Sequence, residues 1–161
     1  MQLTLDNPLW AFSLAVYPEA GVSEECIALQ DQRGIDVNLL LLCAYLGGIR
    51  GVTLSADELR KAAAAVAGWQ SGVIRPLREA RRALKPIENE PAQRLRGNVK
   101  KDELLAEQIE QALLWEWCRE ELAARSGGER GAALNANITT LLGEPAAPNL
   151  AGAVLRQAAK V

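Results

Sequence analysis

The sequence predicts an all-α fold, and three observations carry that prediction. Its apolar residues, 49% of the chain, are dominated by Ala and Leu, which favour helix over strand. Aromatics make up only 4%, and the longest stretch that could read as a strand is Arg50–Leu54. Helix-starting residues stand immediately ahead of most apolar runs. At 161 residues the chain has room for a real hydrophobic core. The pattern predicts a compact bundle of about five to seven helices, with a buried central helix over 37–46 and a long helix over 98–125.

Asn7 followed by Pro8 reads as a cap and a first helical position, opening a helix over Leu9–Val16 with Leu9, Trp10, Phe12 and Val16 inward. Pro18 and Gly21 close it. Ser23 is the expected cap of a second helix running to Gln32, with Glu24 and Glu25 in the first turn and Cys26, Ile27 and Leu29 in the core. Gly34 ends it. Asp36 then caps Val37–Leu46, which is apolar on nearly every side and is therefore expected at the centre, with Gly47-Gly48 as its stop.

Ser55 and Glu58 have capping-box spacing, which starts a helix reaching Ala67. Gly68 is expected to separate it from a fifth helix over Val73–Lys85, because Pro76 is tolerated in a first turn. Glu90-Pro91 offers a fresh start, with a weak point at Gly97-Asn98. The long helix has apolar positions at Leu104, Leu105, Ile109, Ala112, Leu113, Trp117 and Leu122, and these are its expected core face. Residues 1–125 read as the helical domain. The Gly-rich stretch after Ser126 leads to two weak helices over 132–142 and 149–160, expected as a loosely attached or partly disordered tail.

Composition excludes several classes of function. The chain has no histidine, which removes imidazole bases and imidazole metal ligands together. No carboxylate spacing suggests a metal site and no glycine-rich loop has a phosphate-binding pattern, so neither metal nor cofactor is expected. No run approaches the ~18 apolar residues of a membrane span. The short stretch Leu9–Tyr17 lacks the basic flank of a signal peptide. Cys26, Cys43 and Cys118 are odd in number, without a CxxC, and each lies in an apolar helical stretch. The expectation is a soluble cytoplasmic protein with buried, reduced thiols.

The residues Cys26-Ile-Ala-Leu-Gln-Asp31, Gly34, Asp36-Val-Asn-Leu-Leu-Leu-Leu-Cys43, Trp69, Arg75-Pro-Leu-Arg78 and Arg81-Arg82-Ala-Leu-Lys85 occur together. In this combination the chain resembles a proteobacterial uncharacterised family, domain of unknown function 2390, over about residues 7–125. The resemblance implies one helical unit and brings no activity with it.

Charge is unevenly distributed. Residues 1–58 carry a net of −6, residues 60–101 a net of +8 and the remainder −4, which together give the overall −2. On the fifth helix Arg75, Arg78, Arg81, Arg82 and Lys85 fall within a stripe about 120° wide, opposite Val73, Leu77, Ala80 and Leu84. Three uses of that stripe follow: ion pairing with the acidic long helix (Glu103, Glu107, Glu110, Glu116, Glu120, Glu121), docking of an acidic protein partner, or contact with nucleic-acid phosphates. Trp115 and Trp117 lie about 200° apart, so one is expected to be exposed or covered by another chain or by the tail, and Trp115 joins the candidate partner surface. Asn38, inside an apolar helix close after Asp31 and Asp36, must be hydrogen-bonded. The simplest arrangement has Asp36 capping and Asn38 or Asp31 meeting an arginine of the fifth helix; the alternative is a small polar pocket.

Three functional readings follow. The preferred one is a non-enzymatic helical adaptor or regulatory protein that binds a protein partner, with self-association allowed. The second is a nucleic-acid or ribosome-associated module using the basic helix. The third is a ligand-binding protein or enzyme with a polar pocket around Asp31, Asp36 and Asn38.

Overall fold

The central helix organises the molecule. A computed structural model describes residues 2–161, and these form helices α1 (Pro8–Val16), α2 (Val22–Arg33), α3 (Val37–Gly48), α4 (Ala56–Trp69), α5 (Arg75–Leu84), α6 (Glu90–Glu121), α7 (Arg130–Leu142) and α8 (Pro148–Ala158). A π-helical turn, Gln70–Ile74, joins α4 to α5 without a break, so the described residues make seven continuous rods and no strand. No helix is long and apolar enough to cross a membrane among the described residues.

Asp36 caps α3 by accepting from the N–H groups of Asn38 and Leu39. Every residue from Asn38 to Gly48 is buried. Such a helix needs partners on all sides, and it packs on α7 most extensively, and on α1, α2, α6 and α8. Gly47 and Gly48 do not stop α3 but lie inside it. A Cβ on Gly47 would meet the Leu134 backbone at 2.6 Å, so glycine here permits two helix backbones to touch.

Residues 126–161, expected to hang loosely, instead complete the core. Leu134, Ile138, Leu142, Leu150, Ala153 and Val154 are all buried in the same cluster as α3. Asn137 ties α7 to the loop after α3: its Oδ1 accepts from Leu54 N at 2.8 Å, and its Nδ2 donates to Val52 O at 2.9 Å and Cys43 O at 3.2 Å. The apolar surface of α3 left over by α1, α2 and α6 is what recruits the last two helices, although their local helix signals are weak.

Gly68 likewise fails to interrupt its helix. Pro76 offers no N–H and its ring would crowd the carbonyl four residues back, and the widened turn immediately upstream accommodates it, with Arg75 N reaching Gln70 O. The capping box at Ser55 and Glu58 is present as expected. Gly97-Asn98 is no weak point: α6 runs unbroken for 32 residues, on the order of 48 Å. It packs most extensively on α5, the two forming an arm in which no residue of α5 is buried.

Candidate functional site

The main departure from expectation is the face that α6 turns inward. Leu104 and Leu105 are 55% and 47% exposed, whereas Glu103, Ala106, Glu110, Gln111, Ala112, Leu114 and Cys118 are buried. Of the expected core positions, Ala112 and Leu122 are buried and Ile109, Leu113 and Trp117 are half-buried. The helix is rotated so that polar side chains meet polar partners on α1, α3, the π turn and α5.

Two sets of partners cause that rotation. The first is ionic. Arg78 approaches Glu103 at 3.3 Å and Glu107 at 3.4 Å, and Arg81 grips Glu103 with two nitrogens. The hydrogen bonds to buried Glu103 raise the affinity of Arg81 for its proton. The second set is a buried chain of side-chain hydrogen bonds. Ser13 Oγ on α1 donates to Gln111 Oε1 at 3.0 Å, Gln111 Nε2 donates to Asn38 Oδ1 at 2.9 Å, and Asn38 Nδ2 donates to Glu110 Oε2 at 2.9 Å. Gln70, placed by the π turn, donates to the same Glu110 oxygen at 3.3 Å.

Glu110 is fully buried, and burial pushes its pKa up to about 9, with the neighbouring Asp36 carboxylate adding to the shift. It is therefore a neutral acid at pH 7. Its Oε1 meets no hydrogen-bond partner among the described residues, and the charge of the nearby Asp36 carboxylate favours keeping the proton on Glu110. Burial also raises the pKa of Glu107, against the lowering effect of Arg78.

These groups back a cavity of about 150 Å³ between α1, α2, α3, the π turn, α5 and α6. Asp36, Asn38, Gln70, Arg78, Glu107 and Gln111 supply its polar wall. Trp10 and Tyr17 supply aromatic walls, and their indole N–H and phenol group make no hydrogen bond among the described residues. Leu14 and Leu104, 58% and 55% exposed, stand at its rim. An open groove continues outward past Gln30 and Arg78, which line both spaces, to Asp31, Arg75, Glu79 and Arg82.

The expected basic stripe is thus divided. Arg78 and Arg81 are spent on α6, as the ion-pairing reading required. Arg82 crosses to Asp31 on α2 at 2.7 Å, with both side chains about half exposed. Arg75 and Lys85 are exposed and form no ion pair among the described residues. Asp36 is a cap, and Asn38 is satisfied by Glu110 and Gln111 rather than by an arginine. Asp31 lies in the outer groove, so the three residues of the expected polar pocket do not share one wall. Trp115 is half-buried, edge-on to Tyr45 with ring centres 6.1 Å apart, and Trp117 is half-buried against the core as well. Neither tryptophan is left in solvent, because α6 is flanked on several sides. Cys26, Cys43 and Cys118 are free and buried, each with its pKa pushed up to about 12 by burial.

Sequence reasoning missed Gln111, Ser13 and Gln70, and placed Glu110 among the acids pairing with the basic stripe, whereas it meets Asn38 and Gln70. A signal existed for Glu110: it sits four residues from both Ala106 and Leu114 on one helical face, so an apolar face carried an acid in its middle.

A family model described as "Protein of unknown function (DUF2390)" matches residues 8–114, a span that contains every residue lining the cavity and the groove. No curated protein and no solved structure matches the chain.

Proposed function

The chain belongs to the DUF2390 family, and we propose that this member is a helical adaptor that docks a protein partner in the cleft between α1, α2, α5 and α6. One observation carries the reading: a cavity the size of one side chain opens at the surface between two exposed leucines, Leu14 and Leu104. A cavity of about 150 Å³ accommodates a benzene-sized group, whereas pockets for whole metabolites run from about 300 Å³ upward. Interfaces concentrate their energy where one anchor side chain fills a pocket ringed by apolar contacts, and this cleft has that form. The adjoining groove, with Arg75 free and Arg82 half exposed, favours an acidic stretch beside the anchor. The buried free thiols support a reducing compartment, the cytoplasm, as the place of action.

The test is capture of partners from a lysate of the native host on the tagged protein, treated with nuclease, against the double variant Leu14→Asp, Leu104→Asp. Both positions are exposed, so the variant keeps its fold and its melting temperature. A stoichiometric protein retained through nuclease and lost with the variant is the expected result; equal capture by both proteins refutes the cleft as the docking site. A nucleic-acid reading draws on one observation, the exposed cations Arg75, Lys85, Arg94, Lys100 and Lys101 along the α5–α6 arm. It requires recovery of RNA or DNA that is lost on nuclease treatment and falls steeply with salt.

A further inference from the structure

The inner cavity has a chemistry that narrows the anchor. Its ionisable lining is Asp36, Glu107 and Arg78, so carboxyl groups outnumber cations. The one cation among its described lining residues is already committed: Arg78 faces Glu103 through Nε and Glu107 through a terminal nitrogen and is mostly buried doing so. Among the described residues no other cation lines the space. Behind the wall lies Glu110, a second carboxyl beside Asp36.

Two aromatic walls complete the enclosure. The rings of Trp10 and Tyr17 stack on no other aromatic among the described residues, in contrast to Phe12, Tyr45 and Trp115, which pair with one another. An aromatic face attracts a cation through its quadrupole, most strongly when the cation is shielded from water. Nearby carboxylates reinforce this: Glu107 is among the charges that hold the protons on Tyr17 and on Glu110, with burial the largest cause for both. An anionic or purely aliphatic anchor would meet these carboxyls without compensation.

We infer that the cavity receives a cationic side chain, arginine or lysine, of the docked partner, held between the Trp10 and Tyr17 rings and the carboxylates of Asp36 and Glu107. The inference rests on the docking reading above and specifies its anchor. Glu107 is the principal counter-charge, since its carboxylate is shared with Arg78 at the long distance of 3.4 Å and is one-third exposed. Asp36 contributes its charge from the helix start, and Leu14 and Leu104 cover the aliphatic stem of the incoming side chain.

The experiment is a titration of the full chain, followed by ¹H–¹⁵N NMR of the indole groups, with three blocked amino acids: N-acetyl-arginine methylamide, the lysine equivalent and the citrulline equivalent. Citrulline has nearly the shape of arginine and no charge. Saturable shifts at the Trp10 indole with the two cations, at least tenfold weaker with citrulline, are expected. Glu107→Gln should weaken the cations at least fivefold. Asp36→Asn preserves a capping side chain and should weaken them by a smaller factor. Equal response to citrulline, absence of any saturable shift with the cations, or unchanged affinity in both variants overturns the inference. The citrulline comparison needs no variant, so a folding defect cannot mask the answer. If the cations do not bind while the Leu14→Asp, Leu104→Asp variant still loses its captured partner, the anchor is wrong and the docking site stands. If capture is also unaffected, both fail.

Discussion

Replacing Glu110 with glutamine should remove a pH dependence that the buried network imposes on stability. In the unfolded chain this carboxyl titrates at the ordinary 4.5, and in the folded protein it is pushed up to about 9. Below the unfolded value both states hold the proton and the group has no effect. Above it the unfolded chain releases a proton that the folded protein keeps, so folding stability falls by about 1.4 kcal/mol per pH unit. The loss continues until the folded pKa is reached and then levels off. At about pH 7.5, three units above the unfolded value, the penalty is on the order of 4 kcal/mol. Glutamine retains the oxygen that accepts from Asn38 and supplies an N–H₂ donor where the protonated acid has its O–H. Urea denaturation of both proteins at about pH 4.5, 6 and 7.5, read by tryptophan fluorescence, checks this. The stability difference between variant and wild type should grow in favour of glutamine as pH rises. Glu107 shifts in the same direction but is present in both proteins, so it cancels in the difference. A difference that stays constant with pH would mean that Glu110 is ionised in the folded state, and the account of the network would be wrong.

Other parts of the molecule give sharper single tests. Asn137→Ala should cost about 2–4 kcal/mol in urea denaturation, because Leu54 N, Val52 O and Cys43 O lose their partner in a fully buried place. Gly47→Ala should lower the melting temperature sharply, since the added methyl group meets the Leu134 backbone rather than a movable side chain. Arg81→Ala should leave the core intact but speed hydrogen exchange in the α5–α6 arm, whose two helices are held together through Glu103. All three cysteines should resist a thiol reagent in the native protein at neutral pH and react promptly in denaturant, as buried thiols with raised pKa do.

Much of the architecture was legible in the sequence for local reasons. Asn7-Pro8, Asp36 and Ser55–Glu58 cap helices where capping chemistry placed them, and the unbroken apolar run of α3 announced a central helix. The errors arose where tertiary contacts overrule local signals. Gly47, Gly48 and Gly68 look like helix stops, yet the first two are contact points for α7 and α8, and the third is carried through by its neighbours. The weak helices α7 and α8 draw their stability from α3 rather than from their own propensity. The rotation of α6 was the costliest misreading, because hydrophobic spacing selected Leu104 and Leu105 as core. Ion pairs and amide hydrogen bonds turned the opposite face inward. Of the candidate site, Asp36 and Asn38 were legible as unavoidable polar groups in an apolar setting. Their partners Glu110 and Gln111 lie more than seventy residues away and carry no local mark.

The cleft is the centre of the account, and photo-crosslinking addresses it most directly. A photoreactive amino acid would replace Leu14 in the full chain in cells of the native host, with a second protein carrying it in place of Thr140. Thr140 is exposed on α7, which packs on α3, α4 and α8 and does not line the cleft. The account predicts one dominant protein adduct from position 14, absent from position 140 and lost when Glu107→Gln is added. Adducts of equal strength from both positions, or none from position 14 under conditions where the tagged protein captures a partner, would contradict it.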